Sequence, residues 1–283
     1  MEPLGVTDFH THAFPDELAP RAMQAIADLA PGEARPCLDG TVGDLVRSMD
    51  EAGIGRSVIC SIATAPRQVA PILAWSLRIR SDRIVPFGSV HPECEGASAE
   101  GSGAEVLRIA ESGLLGLKLH PQYQNFALDE ERMWPIYEAI AGCGLILVLH
   151  AGADMAFPLR DDRADPRRLM KVHEAFPTIP IIAAHMGGWM RWREVADVLA
   201  GTGVCLETSY TLHMAEPDVM AAILERHSIG RILFGSDSPW RGQAETMELV
   251  RRTWPDEADQ RKVLRENADR LLREAAGRVA PHV

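Results

Sequence analysis

Short apolar runs punctuate this chain at near-regular intervals. Residues 6–10, 57–62, 84–90, 114–119, 145–150, 181–185, 204–207 and 232–234 are rich in Val, Ile and Leu and read as eight strands. The runs are continuous rather than alternating, the pattern of a parallel sheet covered on both faces. Between them recur stretches of helical periodicity at 41–52, 70–80, 104–112, 130–141, 167–175, 189–200, 217–226 and 243–252. Several carry end signals: Thr41 precedes the first and Gly53 follows it, while Gly142 and Gly201 stop two others. Asp165-Pro166 supplies an N-cap followed by proline at the first helical position.

Eight strand–helix units without a repeated motif, and without GxGxxG after the first strand, predict an α/β fold. A closed (β/α)8 TIM barrel is favoured over an open doubly wound sheet, as a single domain over residues 1–283. Two additions decorate it. The loop after strand one, residues 14–40, is extended, with Pro15, Pro20, Pro31 and Pro36 around a short helical stretch at 18–29. It is a candidate lid at the C-terminal face. An extra C-terminal helix over 256–274 is expected to close the opposite end or to pack outside, followed by a frayed tail at 277–283.

Charge and cysteine usage narrow the function class. A net charge of −11 argues against a nucleic-acid surface, which needs basic patches, although a pocket can still be locally positive. The five cysteines (Cys37, Cys60, Cys94, Cys143, Cys205) are odd in number and form no CxxC, as for reduced thiols in a cytoplasmic protein. Cys60 and Cys205 read as small core residues of strands. No basic segment followed by an apolar run opens the chain, so no secretory signal is expected. The longest apolar run, 145–149, is too short to span a membrane.

The chemistry lies in where the polar residues fall. In a barrel of this type reactive groups sit at the C-terminal ends of strands. Strand one ends in His10 and His12, two apart and hence on one strand face, with Asp8 below them. Strand three ends in His91, strand four in Lys118 and His120, strand five in His150, strand six in His185 and strand eight in Asp237. Six of the ten histidines thus lie at or just past a predicted strand end, whereas His173 and His227 fall on predicted helix surfaces. A polar strand end, a satisfied core histidine or a helix cap would account for any one of these residues. Their shared placement points instead to a divalent-metal site.

Taken in order, "DFHTH…GLKLHP…LHAG…AHMGG…FGSDSPW…RENADRLL" resembles the amidohydrolase superfamily. More narrowly it is similar to the amidohydrolase-related group of metal-dependent TIM barrels, the aminocarboxymuconate-semialdehyde decarboxylase-like proteins, from Asp8 to about Leu272. The resemblance implies a mononuclear site with His10, His12, His150 and Asp237 as ligands. His185 stands beside the metal as general acid or substrate polariser. Such a nitrogen/oxygen set suits Zn²⁺, with Mn²⁺ or Fe²⁺ as alternatives. A binuclear centre would instead take His185 as a ligand and Lys118 as a carboxylated bridge.

Asp8 is expected to orient a ligand imidazole. His91, Lys118, His120, Arg160, Trp189 and Trp240 are candidate substrate contacts, with Phe14 and Tyr210 as further pocket walls. His91 and His120 serve equally as loop braces. Arg160 and Arg163 could pair with a substrate carboxylate, but Asp161 and Asp162 beside them favour a solvated salt-bridged loop. Asn267 reads as structural. Three activities remain open: hydrolysis of a small-molecule C–N or C–O bond with metal-activated water, nonoxidative decarboxylation of an unsaturated or aromatic acid, and non-catalytic metal binding. The expected partner is a small molecule, not nucleic acid or membrane. A homodimer is implied by the resemblance alone.

Overall fold

A computed structural model describes residues 5–29, 35–94 and 99–279, those at 99 and 100 by backbone only. Pro31, inside the loop at 14–40, and residues 280–283 of the expected tail lie outside the described residues. The first half of the chain runs β1 (Val6–Thr11), α1 (Ala19–Leu29), α2 (Val42–Ala52), β2 (Ile54–Cys60), α3 (Val69–Ile79), β3 (Ile84–Phe87), α4 (Ala99–Glu111), β4 (Gly116–Leu119) and α5 (Trp134–Cys143). It continues through β5 (Ile146–Leu149), α6 (Pro166–Ala175), β6 (Ile181–Ala183), α7 (Trp192–Val198), β7 (Cys205–Glu207), α8 (Pro217–Arg226), β8 (Ile232–Leu233) and α9 (Gln243–Thr253). Two helices end it, α10 (Glu257–Arg261) and α11 (Asn267–Val279), with a π-helical turn at Lys262–Glu266 between them.

All strand pairs are parallel and join neighbours in sequence, β1 to β3 in one ladder and β4 to β8 in another. Both seams are closed by the main chain. Gly88 bridges Leu117 between the first ladder and β4, and Lys118 N donates to Gly88 O at 2.9 Å. At the other seam Thr11 bridges Ser238, and Phe9 N donates to Phe234 O at 2.7 Å. The eight strands therefore close into a (β/α)8 barrel.

The continuous apolar runs sort by alternation into two layers. Phe9, Val58, Phe87, Ile146, Val148, Ile182 and Cys205 form an inner cluster, into which α11 inserts Ala268, Leu271, Leu272 and Ala275. Intervening residues such as Ile59, Leu117, Leu147, Leu149 and Ile181 pack in the outer layer with the helices. With α11 packed against the inner cluster, the C-terminal strand ends remain for chemistry. Asn267 anchors this end: its Nδ2 donates to Ile229 O and Ile232 O, both at 2.8 Å.

Caps behave as the residues dictate in α2 and α6. Thr41 Oγ1 accepts from Asp44 N at 3.1 Å, Gly53 closes α2 at φ 71°, and the Asp165 side chain accepts from Arg167 N. Other expected ends shift. α5 runs past Gly142 and stops at Gly144, which holds φ 67°. The helix expected from Trp189 begins at Trp192, because residues 185–188 make a turn and Trp189 bridges Gly152. The expected 256–274 helix is interrupted where Val263 O accepts from Phe234 N at 3.0 Å, so that carbonyl is spent on the barrel rather than on a regular helical ladder. It then extends through Gly277 to Val279. His227 is not on a helix surface: it is buried just past α8, where its Nδ1 accepts from Gly201 N at 3.2 Å.

Candidate active site

The β1–β2 register shifts between Asp8 and Thr11. Such a shift re-aims side chains, and here Phe9 packs inward on Phe87 while His10 and His12 both reach one cavity. Their rings are fixed from behind. His12 Nδ1 donates to Cys60 O and His10 Nδ1 to Glu207 Oε1, each at 2.9 Å. The carbonyl and the carboxylate accept from Nδ1, so each ring turns its Nε2 forward. Those two atoms face each other at 3.1 Å.

Two imidazole nitrogens at that distance call for a cation or a proton between them. Asp237 Oδ1 completes a triangle, 3.2 Å from His12 Nε2 and 3.6 Å from His10 Nε2. Tetrahedral Zn²⁺ with bonds of about 2.05 Å places its ligand atoms about 3.3 Å apart. The donor set therefore fits a divalent cation. Asp237 is held in place by its own amide, which donates to His10 O at 2.9 Å from a backbone at φ 68°. Burial opposes its ionisation, but the bond to His12 and the neighbouring His10 and His185 hold its carboxyl well below the usual range.

His150 does not join that triangle. Its ring stacks on His120, with centroids 3.9 Å apart and planes 13° from parallel. His150 Nε2 donates to Ala153 O at 2.9 Å, which leaves Nδ1 unprotonated, 3.1 Å from His185 Nε2. His185 is fixed in the same way, with Nδ1 3.1 Å from Ser209 O and 2.8 Å from Ser209 Oγ. Here too, two acceptor nitrogens face each other across a gap that a cation or a proton must fill. The turn that aims His185 is left-handed at three successive residues, with φ of 59°, 51° and 86° at His185, Met186 and Gly187. Strained backbone of this kind clusters at functional sites.

Lys118 lies between the two pairs, fully buried, its Nζ 3.4 Å from His10 Nε2. Burial pulls its pKa below the ordinary lysine value. Burial likewise drives His120 and His150 well below the usual histidine range, and burial with Lys118 brings His10 down to about 4.

Glu207, at the end of β7, is the residue that motif reading passed over. It is fully buried and accepts from His10 Nδ1, from His185 N at 2.8 Å, from Ser209 N at 2.7 Å and from Ser209 Oγ at 2.6 Å. Burial alone would raise its pKa; His10 beside it brings it down to about 2. Gly235 makes the room, since a Cβ there would run into Glu207 Oε2. A strand ending in a carboxylate directly before "TSY" was the available signal. Asp154 was passed over too; its Oδ2 lies 3.3 Å from His120 Nε2.

Asp8 does not orient an imidazole. It accepts from His10 N, from Ser236 N and Oγ, and from Gln243 Nε2, tying β1 to the turn after β8 and to α9. Glu207 has the role expected of Asp8. Lys118, His120, Phe14, Tyr210 and Trp240 line the same cavity as the histidines, and Trp189 lines a recess beside His150 and His185. His120 Nδ1 and Trp189 Nε1 are buried and lack partners among the described residues.

Three candidates stand elsewhere. His91 braces its own loop, its Nδ1 accepting from Glu93 N at 3.1 Å. Arg160 is exposed, outside the cavity lining. Arg163 is paired with Asp161 and bonded to Asn125 Oδ1 at 3.0 Å, the salt-bridged loop that the neighbouring aspartates favour.

The family described as Amidohydrolase matches residues 7–273 of this chain. No curated protein matches it by sequence. Among solved structures it is similar to an uncharacterized TIM-barrel protein from Bordetella bronchiseptica, with TM-score 0.73, 20% identity, and 95% of this chain and 99% of that one covered. It is also similar to 5-carboxyvanillate decarboxylase from Sphingomonas paucimobilis, with TM-score 0.69, 18% identity and coverage of 95% and 99%. A third likeness is to a dihydroxybenzoic acid decarboxylase from Polaromonas with bound manganese and the inhibitor 2-nitroresorcinol, with TM-score 0.67, 19% identity and coverage of 95% and 97%.

Proposed function

This chain belongs to the amidohydrolase family, and from that premise we propose that it is a divalent-metal-dependent hydrolase cleaving a C–N or C–O bond of a small molecule. The observation that carries the reading is the triangle of His10 Nε2, His12 Nε2 and Asp237 Oδ1, with both imidazoles turned forward by their Nδ1 bonds. Zinc is the preferred occupant, with manganese the alternative. A bound cation supplies Lewis acidity toward a carbonyl and brings the pKa of a water to about 7. Asp237, ionised and fixed by its amide, accepts the proton of the attacking water and returns it to the leaving group.

A binuclear centre is the second reading for the metal, favoured by the facing nitrogens of His150 and His185. Lys118, whose pKa burial pulls below the ordinary lysine value, would be the lysine that adds CO2 to give a bridging carbamate and one proton. Decarboxylation is the competing reaction. It needs a cation for the substrate carboxylate; neither Arg160 nor Arg163 lines the cavity, but Lys118 and Arg21 do.

Metal analysis and a substrate panel test these readings together. One equivalent that persists in His185→Asn while turnover is lost supports the mononuclear site. Two equivalents, falling to one in His185→Asn, support the binuclear one. A preparation that binds no divalent metal overturns the proposal. Release of CO2 from aromatic or unsaturated acids, without cleavage of lactones, esters or amides, moves the assignment to a lyase.

A further inference from the structure

The cavity above the reacting groups is far larger than they need, enclosing about 730 Å³. One wall is the segment inserted after β1. Leu18, Ala22, Ala25, Ile26 and Leu29 all line it, at a spacing that places them on one helical face, with Arg21 as the one charged residue of this wall. Ala19 and Met23 of α1 are buried instead. Leu18 and Leu29 are 50% and 52% exposed, so the core does not cover this stripe.

The wall after β2 is also apolar, formed by Ile62, Pro71, Ile72 and Trp75. Its polar neighbour Gln68 is occupied, with Oε1 accepting from Thr64 Oγ1 and Ala65 N, both at 3.0 Å. The same cavity continues to His185 and Asp237. An apolar space joined to reacting groups gains most from a ligand that brings apolar surface of its own.

We propose that the substrate is an acyl compound bearing an elongated alkyl or aryl group that lies along the α1 stripe. This rests on the hydrolytic reading. Water oxygen bonds to the acyl carbon, the acyl–oxygen or acyl–nitrogen bond breaks, and the leaving group departs with a proton. The Leu18–Leu29 stripe selects by length, and the reaction itself is left to the histidine and aspartate groups.

Linear alkyl hydroxamates from acetyl to decanoyl test the cavity without requiring turnover. Calorimetry on the metal-loaded protein is expected to show affinity rising about fourfold per methylene, then levelling once the tail outgrows the cavity. Ala22→Trp and, independently, Ala25→Trp fill the wall and flatten that rise while metal content is retained. A flat series in the natural protein, or an unchanged slope in both variants, overturns the proposal. So does a flat series from a dimer that Leu18→Glu dissociates, which would give the stripe to a second copy. A parallel ester series separates the two readings. A length-dependent hydroxamate series with no ester cleavage removes the hydrolase reading and keeps the assignment of the cavity. Ester cleavage indifferent to length, with flat hydroxamate binding, does the reverse.

Discussion

Glu207 shows how one side chain governs a site it does not enter. It fixes the tautomer of His10, the amide that positions His185, and Ser209 between them. In Glu207→Gln an amide NH₂ must face either Ser209 N or the donors on the other oxygen, so one contact becomes donor against donor. Metal affinity is expected to fall about 10–100-fold, measured by chelator competition. Unchanged affinity would remove Glu207 from the site's support. Sequence reading picked out His10, His12 and Asp237, which the fold brings together, because HxH and the strand-end Asp are local signals. It assigned the support to Asp8, the nearest carboxylate in sequence, whereas the support comes from 197 residues away.

At the scale of elements, caps and glycines set what the strand ends can present. Thr41→Ala removes the α2 cap and is expected to cost about 1 kcal/mol in denaturant unfolding without altering metal content, since α2 bears no site residue. Gly152 is different. It sits at φ 91° beside the main chain of Trp189, which a Cβ would strike. Gly152→Ala forces the loops after β5 and β6 apart, at about 1–3 kcal/mol, and should also lower turnover through Trp189 and His185. A loss of stability with turnover preserved would show that those loops do not position the site. Strand order and helix type were legible because periodicity is local. The α7 start and the break before α11 were not, because a left-handed turn and a carbonyl given to Phe234, just past β8, are products of packing.

The whole molecule carries a pH dependence with a definite sign. His10, folded at about 4, and His120 and His150, well below the usual range, stay neutral in the fold and gain protons near 6.5 when unfolded. Their contribution is present above about pH 6.5 and is lost as pH falls toward 4. Glu207, folded at about 2, adds a contribution present above about 4.5 that is lost on further acidification. Asp8, raised by burial to about 7, opposes them, its contribution shrinking as pH rises from about 4 to 7. The metal-free Tm should therefore fall between pH 7 and 5. Added Zn²⁺ should raise it more at pH 7 than at pH 5, because histidines hold a metal only when deprotonated. A Tm flat over that interval would refute the neutral-histidine assignment. The sequence by itself determined the barrel, its strand order and the residues at the strand ends, since hydrophobic periodicity and motif spacing are properties of the chain. Only the tertiary structure decided which of those residues meet. Whether His150 faces His10 or His185, whether Asp8 or Glu207 holds an imidazole, and whether Arg163 reaches the cavity all depend on distances fixed by closure and by backbone turns that no local pattern encodes.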